Sequence, residues 1–189
     1  MLLTAEITEP PISGMYPEKI YDATFSTEDW TWVKFEDENY DTFYGQFRGK
    51  PRSVAISSEN QYCYVLTDTF LYELNRDNPD YFQVKDFIDD VFRTIRNITL
   101  SPIGKLILSD YYTIFILNTP ICQISGRLEN ALIEIENPFS LDEIEFKEWK
   151  NNSLHINAIT FIIGEPINLI YNATTNLFLE DENSNNTYL

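Results

Sequence analysis

A single histidine, His155, serves all 189 residues. Most arrangements of nucleophile, histidine and acid need an imidazole as base, so this scarcity removes most of them. His155 sits between Leu154 and Ile156 in a strand-like run, the usual setting of a structural histidine. There are two cysteines, Cys63 and Cys122, which make no disulfide framework and no zinc-ligand spacing. Both lie in apolar, strand-like runs and read as buried free thiols. Six glycines are scattered, with neither GxGxxG nor Walker A spacing, so no phosphate-cradling loop is written here. No stretch approaches the roughly 18 apolar residues of a membrane span. The start, Met1-Leu2-Leu3-Thr4-Ala5-Glu6, lacks the basic and apolar regions of a secretory signal. A soluble, cytoplasmic protein is expected, with no cofactor and no metal. The Asn-x-Ser/Thr sequons at Asn97, Asn151, Asn172 and Asn185 then read as chance.

Positive charge is also scarce. Thirteen Lys and Arg stand against 30 Asp and Glu, a net charge of −17, and the pI is near 4.2. Such a chain repels phosphate, which argues against nucleic acid and anionic membranes as partners. Yet 43% of the residues are hydrophobic and 15% aromatic, unlike a disordered acidic tail. The length fits one domain, residues 1–189, and is short of the roughly 250 residues of a TIM barrel.

The pattern is mainly β. Thr31, Val33 and Phe35 alternate with Trp30, Trp32, Lys34 and Glu36, which puts two Trp on one face and Val33 and Phe35 on the other. Further strand-like runs are 42–48, 53–57, 62–67, 70–74, 96–100, 105–109, 112–118, 121–125, 131–136, 156–163, 167–171 and 177–179. Val84, Phe87, Ile88, Val91, Phe92 and Ile95 fall at helical spacing, so 84–95 is the helix expected. Residues 141–150 fit either a strand or a helix opened by Ser140 with Glu143 three residues on. Pro10-Pro11, Gly14 and Pro17 predict an extended lead-in over 1–20 without regular structure. The acidic tail, 180–189, is expected to fray. The fold class is α+β with β dominant: antiparallel meander sheets with one or two short helices.

Two stretches repeat. Val54 to Asp68, followed by Thr69 to Asn75, parallels Ile98 to Asp110, followed by Tyr111 to Asn118. Each reads strand, turn, strand, turn, strand, with Thr67-Asp68 and Ser109-Asp110 at the second turn. A fainter third copy runs from Ile162 to Leu179. The segment Ser101-Pro-Ile-Gly-Lys-Leu-Ile-Leu-Ser-Asp110 resembles the middle strands of a WD-type propeller blade, whose repeat is about 40–45 residues. That resemblance implies a propeller-like stack of small sheets. The Gly-His and Trp-Asp dipeptides of that family do not occur in these segments. An antiparallel meander sharing only the hairpin chemistry is the simpler expectation.

No enzyme is expected. Paired carboxylates could serve glycoside hydrolysis, but in so acidic a chain any pair can be nominated. Glu36, Asp37, Glu38 and Asp41 lack the glycine and later Glu of a calcium loop, and read first as a solvated hairpin turn. The basic knot of Arg48, Lys50 and Arg52 is expected to pair with nearby acids. What remains is surface, where negative charge would steer a basic partner and aromatics would anchor it. In overall character the chain resembles the immunity proteins of bacterial polymorphic-toxin systems, which are small, cytoplasmic, acidic and free of catalytic motifs. The resemblance implies stoichiometric binding to a cognate toxin; where that toxin is a nuclease, its basic nucleic-acid cleft is the natural target. The candidate contacts are Glu36, Asp37, Glu38 and Asp41 as charges, with Trp30, Trp32 and Tyr40 as anchors. Core packing is the alternative role for the two Trp. The competing functions are a β-rich scaffold related to propeller domains and a carbohydrate-binding domain.

Overall fold

The computed structural model describes residues 1–21, 29–86 and 95–181. Within them the protein is built from four sheets of four strands each. Sheet I holds β1 (Leu2–Thr8), β2 (Glu18–Tyr21), β3 (Trp30–Asp37) and β4 (Thr42–Arg48), in the spatial order β1-β3-β4-β2. Its β2–β4 pairing is parallel. Sheet II is a meander of β5 (Pro51–Ala55), β6 (Tyr62–Thr67), β7 (Phe70–Asn75) and β8 (Phe82–Asp86). Sheet III repeats that plan with β9 (Asn97–Leu100), β10 (Leu106–Ser109), β11 (Ile114–Leu117) and β12 (Leu132–Glu134). Sheet IV does so again with β13 (Leu141–Lys150), β14 (Ser153–Thr160), β15 (Pro166–Asn172) and β16 (Leu177–Glu180). The first strands pack in sequence: β1 beside β5, β5 beside β9, β9 beside β13.

Three cores join consecutive sheets. Val33, Phe35 and Phe47 of sheet I meet Val65, Tyr72 and Leu74 of sheet II. Tyr64, Leu66 and Leu71 from the other face of sheet II meet Leu106, Leu108 and Phe115 of sheet III. Ile107, Ile114 and Ile116 then meet Leu154, Ile156, Leu169 and Tyr171 of sheet IV. Sheets II and III are therefore covered on both faces. This explains why Cys63–Thr67, Leu106–Ser109 and Ile114–Leu117 are buried at every residue. Sheets I and IV are covered on one face, and β3, β14 and β15 alternate accordingly.

Several sequence expectations change. The lead-in is not free of regular structure. Leu2–Thr8 pairs with β3, Glu18–Tyr21 pairs with β4, and only the Pro- and Gly-rich piece between them is irregular. Val84–Asp86 belongs to strand β8; the rest of the expected helix, 87–94, lies outside the described residues, and Ile95 is buried in the second core. Ile121–Gln123 forms a short 3-10 turn instead of a strand; a second such turn, Leu128–Ala131, leads into β12, the strand expected over 131–136. Residues 141–150 are a strand. Phe161, Ile162 and Ile163 lie in the exposed turn after β14. Of the tail, Glu180 ends β16, and 182–189 lie outside the described residues.

The repeated segments do fold alike, as β5-β6-β7 and β9-β10-β11. Their second turns use different chemistry. Thr67 Oγ1 accepts the Phe70 N–H at 3.0 Å, whereas Asp110 Oδ1 accepts the Tyr112 and Thr113 N–H groups at 2.8 and 2.7 Å. Both close a tight turn by a side chain folding back on the backbone.

Candidate functional site

The alternation of β3 divides its side chains. Thr31, Val33 and Phe35 point into the first core, while Trp30, Trp32, Lys34 and Glu36 line the outer face of sheet I. Pairing then fixes their neighbours. Trp32 stands between Thr8 and Gln46, with Ile20 next beyond Gln46. Lys34 stands between Glu6 and Tyr44, with Glu18 beyond Tyr44. Tyr16 packs on Tyr44, ring centroids 5.3 Å apart. Trp30 lies opposite Arg48, whose guanidinium is 3.8 Å from its ring centroid, a cation–π contact. Neither Trp belongs to a buried core, and both are half-buried on this outer face. The result is a sheet face of aromatic rings interleaved with acids, and Ile20 is 56% exposed upon it.

The acidic group Glu36-Asp37-Glu38 and Asp41 lies where β3 turns into β4. Asp37 is a turn former. Its Oδ1 accepts the Asn39 N–H at 2.8 Å and the Asp41 N–H at 3.0 Å. These backbone donors, Asn39 foremost, hold its carboxyl below the usual carboxylate range. Tyr40 occupies the left-handed region at φ 63° and is 77% exposed at the tip. Glu38 Oε1 takes the N-terminal ammonium at 3.0 Å. So Glu36 shares the face of Trp30 and Trp32, whereas Asp37, Glu38, Tyr40 and Asp41 form the turn at one end of it. At roughly 3.3 Å per residue, Glu36 and Trp30 are about 20 Å apart along the strand.

The remaining chemical candidates fall elsewhere. His155 Nδ1 lies 3.5 Å from Asp181 Oδ2 on sheet IV. Cys63 is fully buried, and burial pushes its thiol up to about 12. Cys122 corrects an expectation, because it is exposed. Its Sγ is 3.6 Å from Tyr62 Oη, and that contact comes first in pushing the Tyr62 phenol up to about 12. Among the described residues no three His, Cys, Asp or Glu side chains gather as metal ligands would. Among them, too, no helix is long and apolar enough to cross a membrane.

Two polar groups that hold the sheets together escaped the sequence reading. Glu73, 2% exposed, accepts the Ile121 and Cys122 N–H groups at 2.6 and 3.1 Å and so caps a 3-10 turn from another sheet. Arg76 is 4% exposed and, among the described residues, donates only to backbone carbonyls. Only partners distant in sequence reveal either role.

No protein family matches the chain, and no curated protein or solved structure is significantly similar to it.

Proposed function

We propose that this protein is a non-catalytic, acidic binding module that takes a basic protein partner on the outer face of sheet I. The observation that carries this reading is the placement of Trp30 and Trp32. Large aromatics outside the core supply anchoring area, and Glu6, Glu18 and Glu36 stand further along the same face, around Lys34 and Tyr44. The net charge of −17 supplies steering. Within that class, neutralisation of a cognate toxin is the role that the chain's overall character favours. A basic nuclease domain would present the complementary field.

A paired capture experiment tests this. Wild-type protein and the double variant Trp32→Ala/Glu36→Lys are immobilised and exposed to host lysate at low and moderate salt. Asp37 is left intact because it closes the turn. One stoichiometric, basic partner held by the wild type, weakened by salt and lost by the variant supports the reading. The partner should be toxic when expressed alone and harmless beside this chain. Equal capture by both proteins removes the site. A partner without basic character, held independently of salt, favours the scaffold reading, for which the ordered four-sheet stack is the supporting observation.

A further inference from the structure

In a chain with so few cations, an arginine with no acidic partner needs an explanation. Arg52 and Arg96 both line a cleft of about 500 Å³ where β5, β9 and β13 begin. Among the described residues, neither has a carboxylate within ion-pair distance. This corrects the expectation that Arg52 pairs with nearby acids. The Arg96 guanidinium lies 3.8 Å from the centroid of the Tyr111 ring. Stacking of this kind fixes the guanidinium plane while leaving its N–H edge available.

The walls are shaped by two β-bulges. The register of β5 against β6 shifts between Pro51 and Ser53, which makes Arg52 the extra residue. The register of β13 against β14 shifts between Asp142 and Glu145. There Glu143 takes a φ of 50°, a left-handed conformation that costs a non-glycine residue about 1 kcal/mol or more. Bulges displace residues from the regular ladder, and these two bring Arg52 on one side and Glu143 and Glu145 on the other into the lining of one cleft. The second bulge is tied down. Asn97 Nδ2 donates to Ile144 O at 2.7 Å, and Ile144 N donates to Tyr111 O at 3.3 Å. Tyr111, on which Arg96 stacks, and Asn97, the next residue, therefore also hold the strand that carries Glu143.

We propose that this cleft binds a small zwitterionic ligand. Its carboxylate or phosphate sits on Arg52 and Arg96, and its ammonium faces Glu143. Guanidinium forks match both anions in geometry. The strongly negative protein disfavours polyanions and leaves a net-neutral ligand unopposed. The inference is independent of the binding face on sheet I.

The test is a titration of isotope-labelled protein followed by the backbone and guanidinium signals of Arg52 and Arg96. Glycylglycine and glycerophosphoethanolamine, each with one negative and one positive charge at neutral pH, are the two zwitterions; acetate and inorganic phosphate are the simple anions. At least one zwitterion should saturate these signals with a Kd of about 10 mM or tighter. Saturation by glycylglycine alone would assign an amino acid or peptide, and by glycerophosphoethanolamine alone a phosphodiester amine. Arg52→Gln, at an exposed position, should weaken that binding about tenfold, as should Arg96→Gln. Glu143→Gln should weaken the zwitterion and leave the simple anion unchanged or tighter. No saturation by either zwitterion overturns the proposal. So does binding unchanged in Arg52→Gln, a protein whose fold the same spectra report.

Discussion

The Arg76 guanidinium donates to the carbonyl oxygen of Leu2 from both Nε and Nη2, at 3.0 and 2.8 Å. The backbone answers, since Leu2 N donates to Arg76 O at 2.7 Å. Nη1 reaches Ser57 O at 2.6 Å and Asn60 O at 2.9 Å. One buried cation thus satisfies the carbonyls of β1 and of the β5–β6 connection, and fastens sheet I to sheet II. Arg76→Met keeps most of the apolar stem and removes every one of these donors. It should destabilise by about 3 kcal/mol, because three carbonyls lose their charged partner. Urea unfolding at neutral pH measures this; a loss under about 0.5 kcal/mol would contradict the assigned role.

The strands of sheets I and IV were legible where one face is wet. In β3 the sequence alternation alone separates Val33 and Phe35 from the two Trp. The strand β13 was ambiguous for a physical reason. Its bulge puts Leu141 and Ile144 on the same buried side, which counterfeits a helical spacing. Non-local partners hid other features. The N–H groups that open the Ile121 turn bond to Glu73, far back in the chain, so nothing around Pro120 announces it. The pairing of β1 with β3 was masked by the prolines that follow it. At the candidate face, Trp30, Trp32 and Glu36 were legible as a group. The hairpin turn at Glu36 to Asp41 is legible too, but the charges alone do not reveal that Asp37 Oδ1 closes it or that Glu38 holds the N-terminus. The Arg52–Arg96 cleft joins the starts of strands from three sheets, and no local pattern encodes it.

Gly45 in β4 faces Val33 on the core side of sheet I. A Cβ there would lie 2.7 Å from the Phe47 ring, 2.9 Å from Phe35 and 3.0 Å from Tyr21. These rings cannot simply retreat. Tyr21 and Phe47 are stacked at 4.6 Å and only 3° from parallel, and Phe47 meets Tyr72 edge-on at 5.1 Å. Gly45→Ala should therefore cost about 1–3 kcal/mol through overpacking. Urea unfolding reads the loss, and a stabilised variant would contradict the packing described.

The two thiols should separate by reactivity. Cys63 is sealed in the first core, and its thiol is held neutral by burial. Cys122 is exposed. A disulfide reagent such as DTNB should label one thiol in the native protein and two in denaturant. Cys122→Ser should abolish the native reaction and leave the denatured one. Rapid native labelling of both thiols would contradict the burial of Cys63.

Alkaline pH should unfold this protein through buried groups that resist ionisation. Burial pushes the Tyr21 and Tyr64 phenols well above their usual range, and Cys63 up to about 12. Tyr21 Oη is buried and has no hydrogen-bond partner among the described residues, which leaves a phenolate there unsupported. Because the folded-state values are raised, the unfolded chain releases these protons first. The stabilisation is full below the unfolded pKa values, about 8.5 for the thiol and about 10 for the phenols. It is lost as pH rises toward the folded values, at about 1.4 kcal/mol per pH unit for each group that ionises only on unfolding. Urea midpoints should fall from about pH 9 and more steeply past about pH 10, and the tyrosinate absorbance of the buried Tyr21 and Tyr64 should appear only with unfolding. Tyr21→Phe should leave neutral-pH stability unchanged or raised by up to about 1 kcal/mol, because it deletes an unpartnered hydroxyl. It should also flatten the alkaline decline by the share of one group. Midpoints constant from pH 8 to about pH 11 would show that these side chains ionise equally well in the folded protein, against the burial that defines the first two cores.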